Sequence, residues 1–211
     1  MSKKLAEKQQ RRLAEERRRS EQRRAARRRN GITAVITLVV VALVVGLIMF
    51  ERGGGSESAQ GVAAGEAGCG EIEEFDNQGR DHISVGATHD PYNSSPPTSG
   101  PHYDQPATTG FYTDPLEPEQ LVHNLEHGMI VIWYDPGASQ TTLDQIEALV
   151  DQEREATVAA PYDDIDDRYN FVLTAWQNSQ GCARVSQEVV DDFRRELQGQ
   201  GPERIAPPFT G

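Results

Sequence analysis

The chain has 211 residues, a formal net charge of −12 and 36% hydrophobic residues, room for one ordinary domain plus appendages. The charge is unevenly divided. Residues 1–30 hold 13 of the 21 Lys and Arg and 4 of the 33 acids, whereas everything after residue 50 holds 8 Arg, no Lys and 29 acids. A field that negative repels phosphate backbones and excludes a basic nucleic-acid-binding main domain.

Residues 1–30 are rich in Ala, Glu, Gln, Leu and Arg and read as a basic, solvated cytoplasmic arm, set against anionic head groups. Residues 31–50, GITAVITLVVVALVVGLIMF, carry no charged or amide side chain. As a helix rising 1.5 Å per residue they span about 30 Å, the thickness of a bilayer's hydrocarbon core. Arg23, Arg24, Arg27, Arg28 and Arg29 precede this run and only Arg52 closely follows. The positive-inside rule then predicts a single-pass anchor with the N-terminus in the cytoplasm and the remainder outside. A cleaved signal peptide is the competing reading, but it calls for a shorter apolar stretch and a small-residue cleavage site.

Residues 51–68 contain six Gly, no aromatic residue and no periodicity, and read as a flexible linker. Residues 69–211 form the predicted extracytoplasmic domain. Its two cysteines, Cys69 and Cys182, are expected to pair in an oxidising compartment, and neither has the C-x-x-C neighbour of redox catalysis.

Between Gly79 and Asp114 five prolines and the lack of any period predict ordered loop with short strands. Asp114-Pro115 reads as the cap of a helix with the apolar stripe Leu121, Val122 and Leu125, ended by Gly128. MIVIWY (129–134) is a continuous apolar run between turn signals, the mark of a buried strand. Thr141 or Thr142 is placed to cap a second helix with core face Leu143, Ile146, Leu149 and Val150. Strands are expected at 157–160 and 170–176, and a third helix from Ser186 through Val190 and Phe193 to Leu197. This order predicts an α+β fold, a mixed sheet with packed helices.

All five histidines lie between residues 82 and 127. His123 and His127, at i and i+4, project from one helix face and can share a metal ion. On a helical wheel that face lies opposite the Leu/Val stripe, so the pair meets either solvent or a second layer. The stiff loop Ser95-Pro96-Pro97-Thr98-Ser99-Gly100-Pro101-His102-Tyr103 is the natural cover. Residues 123–127 also spell H-x-x-E-H, in which Glu126 would act as general base or, alternatively, orient an imidazole. A peptidase fits poorly, because the helix stops at Gly128 and no third ligand follows in sequence. Ser99 lacks a nucleophile motif, and Asp163, Asp164, Asp166 and Asp167 lack the alternate spacing of a calcium loop. Met129 would favour copper if it faced the histidines, but opening a buried strand it reads as core.

The pairing of PPTSGPHY (96–103) with VHNLEHGMIVIWY (122–134) resembles the proteins grouped as domain of unknown function 3105, over roughly residues 70–200. The resemblance implies a small, membrane-anchored prokaryotic protein whose hallmarks fall on His82, His102, His123, Glu126 and His127, with His89 peripheral. It implies no activity. Taken together, the residues predict a transition-metal site, Zn²⁺ or Cu²⁺, drawn from His82, His102, His123 and His127. A non-catalytic envelope module that binds a protein or glycan partner is the alternative, with a metal-dependent hydrolase using Glu126 as a third reading.

Overall fold

The structure, a computed structural model, describes residues 61–211. The expected arm and membrane span lie outside these residues. Among the described residues no helix is long and apolar enough to cross a membrane.

The elements run in chain order as a 3-10 turn (Ala64–Glu66), β1 (Glu73–Glu74), β2 (His82–Ile83), β3 (His102–Tyr103), β4 (Gly110–Phe111), α1 (Pro118–Glu126) and β5 (Ile130–Tyr134). They continue with α2 (Gln140–Gln152), β6 (Thr157–Pro161), β7 (Phe171–Ala175), β8 (Asn178–Cys182) and α3 (Gln187–Leu197). Six strands form a mixed sheet in the order β1-β8-β7-β5-β6-β4, with β5, β6 and β4 parallel and the other neighbours antiparallel. The expected α+β fold with a mixed sheet and packed helices is present.

The central strands β5, β6 and β7 are buried at every position, in keeping with their mainly apolar sequences. Alternation then sends side chains to both faces. Ile130, Ile132, Phe171 and Leu173 meet Ile146, Leu149 and Val150 of α2 and Val190 and Phe193 of α3. Val131, Trp133, Val158 and Ala160 meet Leu121, Val122 and Leu125 of α1 on the other side. The helices thus occupy both faces, and on the second the loop side chains of Tyr92, Tyr112, Leu116, Tyr162 and Ile165 pack beside α1.

Several boundaries differ from the sequence reading. Helix α1 begins at Pro118 with Glu117 as its N-cap, not at Asp114-Pro115. A proline is at ease in the first helical position but removes a needed N–H further in, so Pro118 sets the start. Helix α2 is capped by Ser139, whose Oγ accepts from the Thr142 N–H at 3.2 Å, rather than by Thr141 or Thr142. Strand β8 was not foreseen. It follows a two-residue hairpin loop, Trp176-Gln177, in which Gln177 takes φ +65° without the usual Gly or Asn to advertise the turn.

Residues 61–68, expected as the end of a linker, pack against the domain. Val62 N–H donates to the Val185 carbonyl at 2.9 Å, Gly61 bridges Ser186, and Ala67 is fully buried. Small side chains that read as linker composition here let the backbone lie close to the strand end. Cys69 and Cys182 form the expected disulfide, across a bridge at the end of β8.

Candidate metal centre

The outer face of α1 carries polar side chains that are nonetheless buried: His123, Asn124 and Glu126. Their cover is the proline-rich loop, the expected one, of which Pro96–Gly100 are buried. The Asn124 side chain fastens loop to helix. Its Oδ1 accepts from the Ala107 N–H and its Nδ2 donates to the Ala107 carbonyl, both at 2.9 Å. Nδ2 also lies 3.3 Å from the Met129 sulfur, and Met129 is half-buried rather than core. Tyr92 props the loop from outside by donating to the Pro101 carbonyl at 2.6 Å, and burial pushes its hydroxyl pKa up.

Beyond the helix, β2 and β3 form a short parallel ladder in which His82 stands directly opposite His102. The Asp81 carbonyl accepts from the His102 N–H at 3.0 Å, which fixes that register. Ladder and helix together bring the rings of His82, His102 and His123 to centroid distances of 4.8–5.1 Å. His127, the helix C-cap, places its ring 4.5 Å from that of His123, with the two Nε2 atoms 2.9 Å apart. Trp176 walls the cluster, 6.4 Å from the His102 ring.

Hydrogen bonds assign the nitrogens. His102 Nδ1 lies 2.8 Å from the Gly100 carbonyl and His123 Nδ1 lies 2.5 Å from the Tyr103 carbonyl. A carbonyl only accepts, so both Nδ1 atoms carry hydrogen, and both rings aim Nε2 into the cluster. His123 Nε2 keeps its lone pair in the neutral ring, which is favoured here: burial, chiefly, lowers the His123 pKa. His102 Nε2 faces the carboxylate of Glu126 at 3.0 Å. Glu126 is only 2% exposed, with His82 Nε2 at 3.5 Å and Arg80 at 3.7 Å.

Among the described residues two groups of side chains can hold a metal ion: His82, His102 and His123, and separately His123, His127 and Glu203, with donor atoms within 4.8 Å of one another in each. The four histidines singled out from sequence are therefore brought together, and Glu126 lies among them. His89 stands apart, paired with Glu119 at 3.1 Å. Glu203 was missed. It arrives on a C-terminal strap held by backbone bonds, Gly199 N–H to Gly128 O and Glu203 N–H to Glu126 O, with its carboxylate 3.2 Å from His127 Nε2. Ser99 Oγ accepts from the Gln78 N–H, and Asp166 pairs with Arg168, so neither takes part.

Residues 85–208 match the family described as protein of unknown function (DUF3105). The chain belongs to this family. The matched DUF3105 segment takes in His102, His123, Glu126, His127 and Glu203, while His82 lies three residues before it. It begins later than the expected residue 70 and reaches the C-terminal strap. No curated protein and no solved structure matches the chain.

Proposed function

We propose that this chain is a single-pass membrane protein whose outward domain binds a divalent transition metal, Zn²⁺ or Cu²⁺, through the histidines around His123. The observation that carries the reading is the shared wiring of His102 and His123. Metal-ligating imidazoles characteristically donate their second N–H to a carbonyl or carboxylate, which fixes the tautomer and aims the free nitrogen. Both rings do this, and their Nε2 atoms converge. The apolar run 31–50 supports the anchor, and the Cys69–Cys182 disulfide supports an oxidising compartment.

Elemental analysis of the purified chain, beside a His102→Asn/His123→Asn variant, tests the site. About one metal per chain is expected, lost in a variant whose circular dichroism is unchanged. No metal, and no thermal shift on adding Zn²⁺ or Cu²⁺, overturns it. One observation favours the rival reading, an envelope interaction module with structural histidines: the buried His102–Glu126 pair is satisfied without an ion. That reading expects the same variant to lose stability and nothing else.

A further inference from the structure

We infer that the site holds a single ion distributed between two alternative seats that share Nε2 of His123. This rests on the metal-binding reading and goes beyond it in stoichiometry, ligands and exchange. The inner seat is His82, His102 and His123, with Glu126 alongside, and the outer seat is His123, His127 and Glu203. An ion bound at 2.0–2.1 Å by each nitrogen keeps its donors within about 4.2 Å of one another. Each triad, with donors within 4.8 Å, needs only a small contraction to meet that limit.

The two seats exclude each other for a chemical reason. An imidazole nitrogen has one in-plane lone pair. His123 could serve two ions only as an imidazolate using both nitrogens, but its Nδ1–H is held by the Tyr103 carbonyl at 2.5 Å. Only Nε2 remains, and it lies 2.9 Å from His127 Nε2. An ion in the outer seat therefore takes the donor that the inner seat requires. The seats also differ in chemistry. The inner one offers three imidazoles and a fully buried ring, His102, whereas the outer one offers two imidazoles and the 38%-exposed carboxylate of Glu203. An ion passes between them by exchanging partners around a nitrogen it never releases.

Mutually exclusive seats give a quantitative signature. The association constants of two variants, each left with one seat, sum to that of the wild type. The outer seat is removed by His127→Asn/Glu203→Gln, both at solvent-reaching positions. The inner seat is removed by His82→Asn/His102→Asn, where the amide introduced by the second change keeps a donor toward the Gly100 carbonyl. Copper(II) is titrated into the full-length chain, counting ions per chain and imidazole nitrogens by pulsed electron paramagnetic resonance. The expected result is one ion per chain in all three proteins. The outer-seat deletion shows three imidazoles and the inner-seat deletion two, and the wild-type spectrum is their superposition. Two ions in the wild type would overturn the inference, as would variant constants that sum to less than about a tenth of the wild-type value, the mark of one merged site. A wild-type spectrum unchanged by the outer-seat deletion would also overturn it, and this arm decides the matter even if the buried His102 variant fails to fold. Those outcomes leave the metal site standing, whereas no copper in the wild type removes both.

Discussion

At the residue scale, His123 is the side chain on which the cluster turns, and its environment leaves a signature independent of any metal. Burial comes first in lowering its pKa; the hydrogen bond to Tyr103 opposes this, and the neighbouring His127, His102 and His82 reinforce it. Above the unfolded value, about 6.5, neither the folded nor the unfolded chain protonates the ring, so it makes no pH-dependent contribution. Below it, the unfolded chain takes up a proton that the folded site resists, and stability falls as pH falls toward the folded pKa. Chelator-treated protein should therefore melt at progressively lower temperature as pH drops below about 6.5. His123→Asn, which keeps a donor near the Tyr103 carbonyl, should show a shallower decline; equal slopes would mean that His123 is not the group responsible. The histidines were legible in sequence because i, i+4 spacing and the wheel placed His123 and His127 away from the apolar stripe. Glu203 was not, because 76 positions separate it from His127 and no periodicity links them. Only backbone pairing of the strap brings them together.

At the element scale, that strap and the end of α1 pack backbone to backbone. A Cβ on Gly201 would meet Gly128 N at 2.3 Å, Glu126 O at 2.4 Å and Leu125 O at 2.6 Å, all main-chain atoms that cannot rotate aside. Gly128 itself adopts φ +83° as the residue that stops the helix, the role expected from its position in sequence. Gly201→Ala should therefore lift the strap and cost about 1–3 kcal/mol, the usual range for overpacking a close contact. Urea unfolding measures this directly, and an unchanged midpoint would show that the strap does not press on the helix end. The same contrast explains which elements could be read in advance. β5, α2 and α3 announce themselves by continuous or periodic apolar residues. β2 and β3 are two residues each and exist because the loop carries His102 to the Asp81 carbonyl, a tertiary cause with no local pattern. β8 is half-exposed and polar along most of its length, so neither period marked it.

At the scale of the whole molecule, the first part of the described chain is joined to the sheet by little secondary structure. β1 pairs with β8 over only two residues, both exposed on the β1 side, and the 3-10 turn is three residues long. The disulfide between Cys69 and the fully buried Cys182 adds a covalent fastening, across 113 positions of sequence, to the backbone bonds that Val62, Gly70 and Phe75 make to the core. Constraining a loop of about a hundred residues removes enough unfolded-chain entropy to contribute roughly 4–5 kcal/mol in the chain-entropy model. Cys69→Ala/Cys182→Ala should accordingly lose about 3–5 kcal/mol in urea unfolding. The metal cluster should respond differently. His102 and His123 are held by the Asn124–Ala107 amide pair and by carbonyls of the loop itself, none of which depends on the first segment. At low denaturant, where the variant remains folded, copper binding should persist with its histidine spectrum intact. Loss of binding together with the disulfide would instead mean that the segment leading to His82 is held in register by the staple rather than by the β2–β3 ladder.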